Sequence, residues 1–173
     1  GLRDAESLLD QLSLMPGEIH VNAVWELLGA VPEQELLSLT KALIEESPIK
    51  VLEACRNLLD RGRDPGAILQ GLVTILRDLI IIKSAPEKTK LCNISSESIK
   101  SLITIAEDID IEVVLNWQAE LKGSESQIRL STQPRLWFEV LLLGLLAKPS
   151  KTESIPTNTI KIENNNDFNS NLL

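Results

Sequence analysis

Few side chains in this sequence could do chemistry. Arg3, in the opening GLRDAESLLDQ, carries a planar donor fork suited to phosphate or carboxylate oxygens. Its ordinary fate on a helix surface is solvation, or pairing with Glu6 or Asp10. His20 is the single histidine; no nucleophile or ligand partner stands near it in the chain, and it reads as a solvated or capping residue. Cys55 and Cys92 are too far apart for a short metal motif and too few for a disulfide framework. Cys55 falls on an apolar helical stripe and reads as a small buried hydrophobe, in a protein of a reduced, cytoplasmic compartment. Glu45-Glu46 and Asp108/Asp110 sit on polar faces and read as solvated acids. Nothing matches the phosphate-cradling G-x-x-x-x-G-K-[ST] pattern. Acid, base, nucleophile and metal ligand do not gather anywhere. The stretch is therefore read as non-catalytic and without a metal or cofactor of its own, and Arg3 is the one candidate site residue.

The elements that would position these groups are helical. There is no Tyr, and only two Phe and three Trp occur, so the apolar residues are mainly Leu and Ile, the filling of helix-on-helix packing. Stop and start signals recur at short intervals. Leu8, Leu9 and Leu12 repeat at helical spacing until Pro16-Gly17. Asn22 can cap a short helix carrying Val24, Trp25, Leu27 and Leu28, closed by Gly29. Val31-Pro32 restarts the chain, and Leu36, Leu37, Leu43 and Ile44 form the next stripe.

Ser47-Pro48 caps a helix burying Ile49, Leu52, Cys55, Leu58 and Leu59, ended by Gly62. Asp64-Pro65 opens one that is apolar nearly all round, from Ile68 to Ile80, and such a helix is central or interfacial. KSAPEKTKLCNISSES reads as a polar linker in which Ser95 or Ser96 caps the stripe Ile99, Leu102, Ile103, Ala106. Asp110 caps a helix with Val114, Leu115, Trp117 and Leu121, whose polar end KGSESQ reads as exposed. Thr132 and Pro134 lead into LWFEVLLLGLLA, an apolar run shorter than the roughly 20 residues that cross a bilayer, and so a core helix. After Pro149 the sequence is rich in Asn, Ser and Thr without periodicity, the composition of a disordered tail. The opening reads as a helix already under way, as in a piece of a longer chain.

Three segments carry a resemblance. GLRDAESLLDQ is similar to the sensor 2 segment of the bacterial DNA polymerase III tau/gamma subunit family, the ATPase subunits of the sliding-clamp loader. Arg3, Asp4, Ala5, Ser7, Leu8, Asp10 and Gln11 match that family's G-S-x-R-D-A-x-S-L-x-D-Q pattern. RGRDPGAILQGLVTILRDLII resembles its turn, acidic cap, long apolar helix and Arg-Asp pair. QPRLWFEVLLLGLLA resembles its closing helix, with Pro134, Glu139, Leu142 and Ala147 in register.

The resemblance implies an all-α chain. Residues 1–29 would be the end of an AAA+ lid domain, residues 30–148 a five-helix collar-type bundle for oligomerisation, and residues 149–173 a disordered tail or linker. It implies that Arg3 is the sensor 2 arginine that reads the γ-phosphate of ATP, with ATP and Mg bound by the intact subunit rather than by this stretch. The expected partners are further tau/gamma copies and the delta and delta-prime subunits. No membrane association is expected, and a net charge of −8 argues against strong nucleic-acid binding. The alternative is an unrelated all-helical adaptor, for instance of the two-helix repeat class, although no fixed 30–50-residue period is present in the sequence.

Overall fold

The structure is a computed structural model; it describes residues 30–147 and, ahead of them, Glu6, Ser7 and Asp10. Seven α-helices follow one another: α1 (Glu33–Ile44), α2 (Pro48–Asp60), α3 (Pro65–Ser84), α4 (Ile99–Glu107), α5 (Ile111–Leu121), α6 (Ser124–Leu130) and α7 (Pro134–Leu145). A 3-10 helix, Pro86–Leu91, lies between α3 and α4. No strand occurs among the described residues, so the all-helical class stands.

Local chemistry sets most boundaries. Ser47 Oγ accepts from the amide of Lys50 at 3.4 Å, and Pro48 takes the first helical position of α2, where its missing N–H costs nothing. Asp64 Oδ2 accepts from Ala67 N at 2.9 Å and Pro65 follows it, the same device opening α3. Gly62 ends α2 at φ +81°, a left-handed turn that side chains other than glycine resist, and Arg63 N reaches back to Leu58 O at 3.2 Å.

α3 is the axis of the bundle. It packs against α1, α4, α5, α6, α7 and the 3-10 helix. Ile68, Leu69, Leu72, Ile75, Leu76, Leu79 and Ile82 are buried along its 20 residues. Of the two readings of an all-round apolar helix the structure selects the central one: only Val73, 38% exposed, is left as a large outward hydrophobe. α3 is also long and apolar enough to cross a membrane by length and composition, and half of that stretch is buried inside the bundle. Gly71 lets α1 come close, since a Cβ there would stand 2.5 Å from Leu36 Cδ1.

Two segments differ from expectation, and the described residues form seven α-helices and a 3-10 helix where a five-helix bundle was expected. KGSESQ is not a solvated end but the turn into α6: Gly123 adopts φ +86°, and Ser124 and Ile128 are buried against the core. One apolar residue in a polar run is a weak signal in sequence, yet burying Ile128 is enough to dock a two-turn helix. The supposed linker after α3 is ordered too, through groups described next. Ser95 caps as expected, one turn ahead of α4: its hydroxyl accepts from Ser98 N at 3.3 Å.

Candidate functional site

Arg3 and His20 lie outside the described residues, so the opening motif is represented only by Glu6, Ser7 and Asp10, helical and exposed. The other candidates are brought no closer together by folding. Cys55 is fully buried, and burial, with a lesser push from Glu139, raises its thiol to about 12; it is an inert part of the core. Cys92 is half-buried and also raised, chiefly by burial, and its sulfur rests 3.9 Å from Asp78 O. Glu45 pairs with Lys50 at 2.5 Å on the surface. Asp108 ends α4 and Asp110 precedes α5 as its cap residue, with Val113 and Val114 bonding to the Asp110 carbonyl rather than to its side chain. Among the described residues no three His, Cys, Asp or Glu side chains are placed to hold a metal ion.

What the fold does build is a set of charged fasteners between helices. Asp78, fully buried on α3, accepts from Asn93 N at 2.7 Å and Ile94 N at 2.9 Å through Oδ2, while Arg77 Nη2 stands 3.1 Å from Oδ1. Arg77 Nη2 also donates to Leu91 O at 2.7 Å. Together the two residues fix the strand-like exit of the 3-10 helix onto α3. Glu33, at the first turn of α1, accepts from Ser95 N at 2.9 Å and from Ser95 Oγ, and Gln34 Nε2 donates to Ser98 Oγ at 3.1 Å. The polar segment before α4 is thereby tied to the start of α1. The sequence offered one signal for the first fastener, a charged Arg-Asp pair inside an apolar helix; the second joins residues 62 apart and left none.

A second seam runs between α2 and α7. Arg56 meets Glu139 with both donors, Nε at 2.9 Å and Nη2 at 3.1 Å, a bidentate geometry that holds the carboxyl below its ordinary range. Arg135 pairs with Asp60 along the same seam. Both formal charges of α7 are therefore turned toward α2. Phe138, Leu142 and Leu145 point into the core.

The rest of α7 is apolar and outward: Leu136 is 51% exposed, Trp137 55% and Val140 47%. At its C-terminal end the helix forms one wall of an open groove of about 460 Å³, lined by Val113, Asn116, Trp117 and Glu120 of α5 and by Gly144 and Ala147. Trp117 Nε1 donates to Leu145 O at 2.9 Å and so fixes the groove floor. The outward face of α7 is apolar, whereas the groove beside it is mixed, with Glu46, Asn116 and Glu120 among its lining residues.

Residues 19–157 match the family profile described as DNA polymerase III subunits gamma and tau domain III. The chain is 34% identical over 151 residues to Protein STICHEL-like 1 of Arabidopsis thaliana, covering 86% of this chain and 13% of that protein. It is 29% identical over 152 residues to DNA polymerase III subunit tau of Bacillus subtilis, 84% of this chain and 26% of the relative. It is 25% identical over 163 residues to DNA polymerase III subunit gamma/tau of Mycobacterium tuberculosis, covering 88% and 27%. In each case this chain corresponds to about a quarter or less of the relative's length.

Proposed function

The chain belongs to the DNA polymerase III gamma and tau domain III family, and from that premise we propose that it is the assembly part of a clamp-loader ATPase subunit. Residues 30–148 act as the collar that joins the subunit to further tau/gamma copies, delta and delta-prime, and residues 149–173 lead away as a linker. The single observation that carries this reading is the family match over residues 19–157. One feature supports it: exposed aromatic and aliphatic side chains on α7 of the kind that anchor protein contacts.

In the intact subunit, residues 1–29 close the lid over bound ATP and Mg, and Arg3 donates to the γ-phosphate. A charge-assisted bond to an oxygen that disappears on hydrolysis links nucleotide state to lid position. ATP is split by parts of the subunit other than this stretch, in the cytoplasm.

Light scattering of the chain, alone and mixed with purified delta and delta-prime, tests the reading. A discrete larger complex in the mixture is the expected result; no complex with either partner overturns it. Arg3→Ala in the full-length subunit should leave folding intact and lower DNA-stimulated ATP hydrolysis, and unchanged turnover removes Arg3 from the nucleotide site.

One observation favours a second reading. The relative at 34% identity is a plant protein whose name refers to no polymerase. The domain then serves as a helical interaction module outside replication, the result expected if it ignores both loader partners.

A further inference from the structure

We propose that the chain beyond α7 doubles back on its own bundle. Residues 148–157 lie along the α5–α7 groove, with Ile155 over Gly144 and Lys148 and Lys151 toward the acidic rim. This goes beyond the assembly reading and shortens the linker in it: the chain leaves the bundle after Thr157.

The groove opens where α7 ends. Gly144 and Ala147 form one wall, and Val113 and Glu120 stand on the α5 wall. Both walls carry uncovered apolar surface. Val113 is 38% exposed, and a Cβ built on Gly144 would meet nothing within 4 Å, so the helix backbone there is bare. The rim has charge of one sign. Glu46, from the α1–α2 turn at φ +51°, and Glu120 are both exposed, and no lysine or arginine lines the groove. Among the described residues neither acid takes part in an ion pair.

The residues that follow fit this surface. The family profile runs on through Thr157, past the end of α7 at Leu145, so what the family shares does not stop with the last helix. Lys148 and Lys151 against Glu153 give the stretch a positive balance in a chain of net charge −8, the complement of the rim. Pro149 keeps α7 from running straight on, because a proline disfavours the helical conformation of the residue before it. Ile155 and Pro156 supply the apolar contact. The span from Ala147 to Ile155 can extend over roughly 27 Å, ample for a return onto Gly144. A segment on so short a tether meets its site at an effective concentration on the order of millimolar, which a separate chain must outcompete.

Paired cysteines in the whole 173-residue chain test this. Val113→Cys with Ile155→Cys, in a Cys92→Ser background and with diamide as oxidant, should close a disulfide within one chain at micromolar protein. With Asn169→Cys in place of Ile155→Cys, closure should be roughly twentyfold slower, where tether length alone accounts for about fivefold. A ratio of about fivefold or less overturns the proposal. So does a disulfide that forms only between chains, which would put a second copy in the groove. Urea unfolding reads the docking without cysteines. Ile155→Asp should lower the midpoint at unchanged slope, and Ile160→Asp, the same change beyond the docked stretch, should leave it in place. Equal midpoints for Ile155→Asp and the wild type overturn the proposal. Complex formation with delta and delta-prime is read in mixtures and stands or falls separately.

Discussion

At Asp78 a single carboxylate decides the path of the chain after α3. A buried charge is costly unless it is partnered; here two backbone amides bond to Oδ2, and the Arg77 guanidinium stands beside Oδ1 as an ion pair without a hydrogen bond to it. Asp78→Ala would leave the amides of Asn93 and Ile94 without acceptors in a dry site, at a cost of about 3 kcal/mol. Asp78→Asn keeps one acceptor and should cost clearly less. Urea unfolding at constant slope measures both; equal and negligible losses would mean that the Leu91–Ile94 segment holds itself in place. Trp117 is the apolar counterpart: it is buried, and its one N–H donates to Leu145 O and locks the end of α7 to α5.

Between elements, close approach and charge pairing divide the work. α1 and α3 touch at Gly71, where a methyl group would collide with the buried Leu36. Gly71→Ala adds about 1 kcal/mol of helix propensity and an overpacking cost of about 1–3 kcal/mol. The collision should win, lowering thermal stability, and a gain in melting temperature would show that Leu36 repacks freely. The α2–α7 seam responds instead to pH. Glu139 has a carboxyl depressed mainly by its bond to Arg56, so the folded state prefers it ionised. Its contribution is complete above the ordinary glutamate value of 4.5 and is lost as pH falls through the lower folded value. Glu139→Gln should therefore flatten the acid limb of a stability–pH profile below that value and change its slope little near neutrality. An acid limb identical to the wild type would mean the seam pair is solvated in solution. Arg56 is mostly exposed, which keeps the effect modest.

For the whole molecule, the sequence by itself determined the class and the scale. Leu- and Ile-rich stripes at helical spacing, with Ser-Pro and Asp-Pro starts, can only bury their apolar faces helix against helix, and α2, α3 and α7 begin where Ser47, Asp64 and Pro134 place them. The quoted motifs also led to the gamma/tau family, because a cap, a turn and an Arg-Asp pair are local chemistry and survive in order along a chain. Tertiary structure alone decided which of the apolar faces would be used up. α3 and α7 read almost alike, yet α3 is surrounded and α7 keeps Leu136, Trp137 and Val140 in water. Tertiary structure also decided that KGSESQ would fold into α6 and that Ser95 would meet Glu33 across 62 residues. Periodicity reports that a face is apolar, whereas what covers it depends on contacts between residues far apart in sequence, and these exist only once the chain has closed on itself.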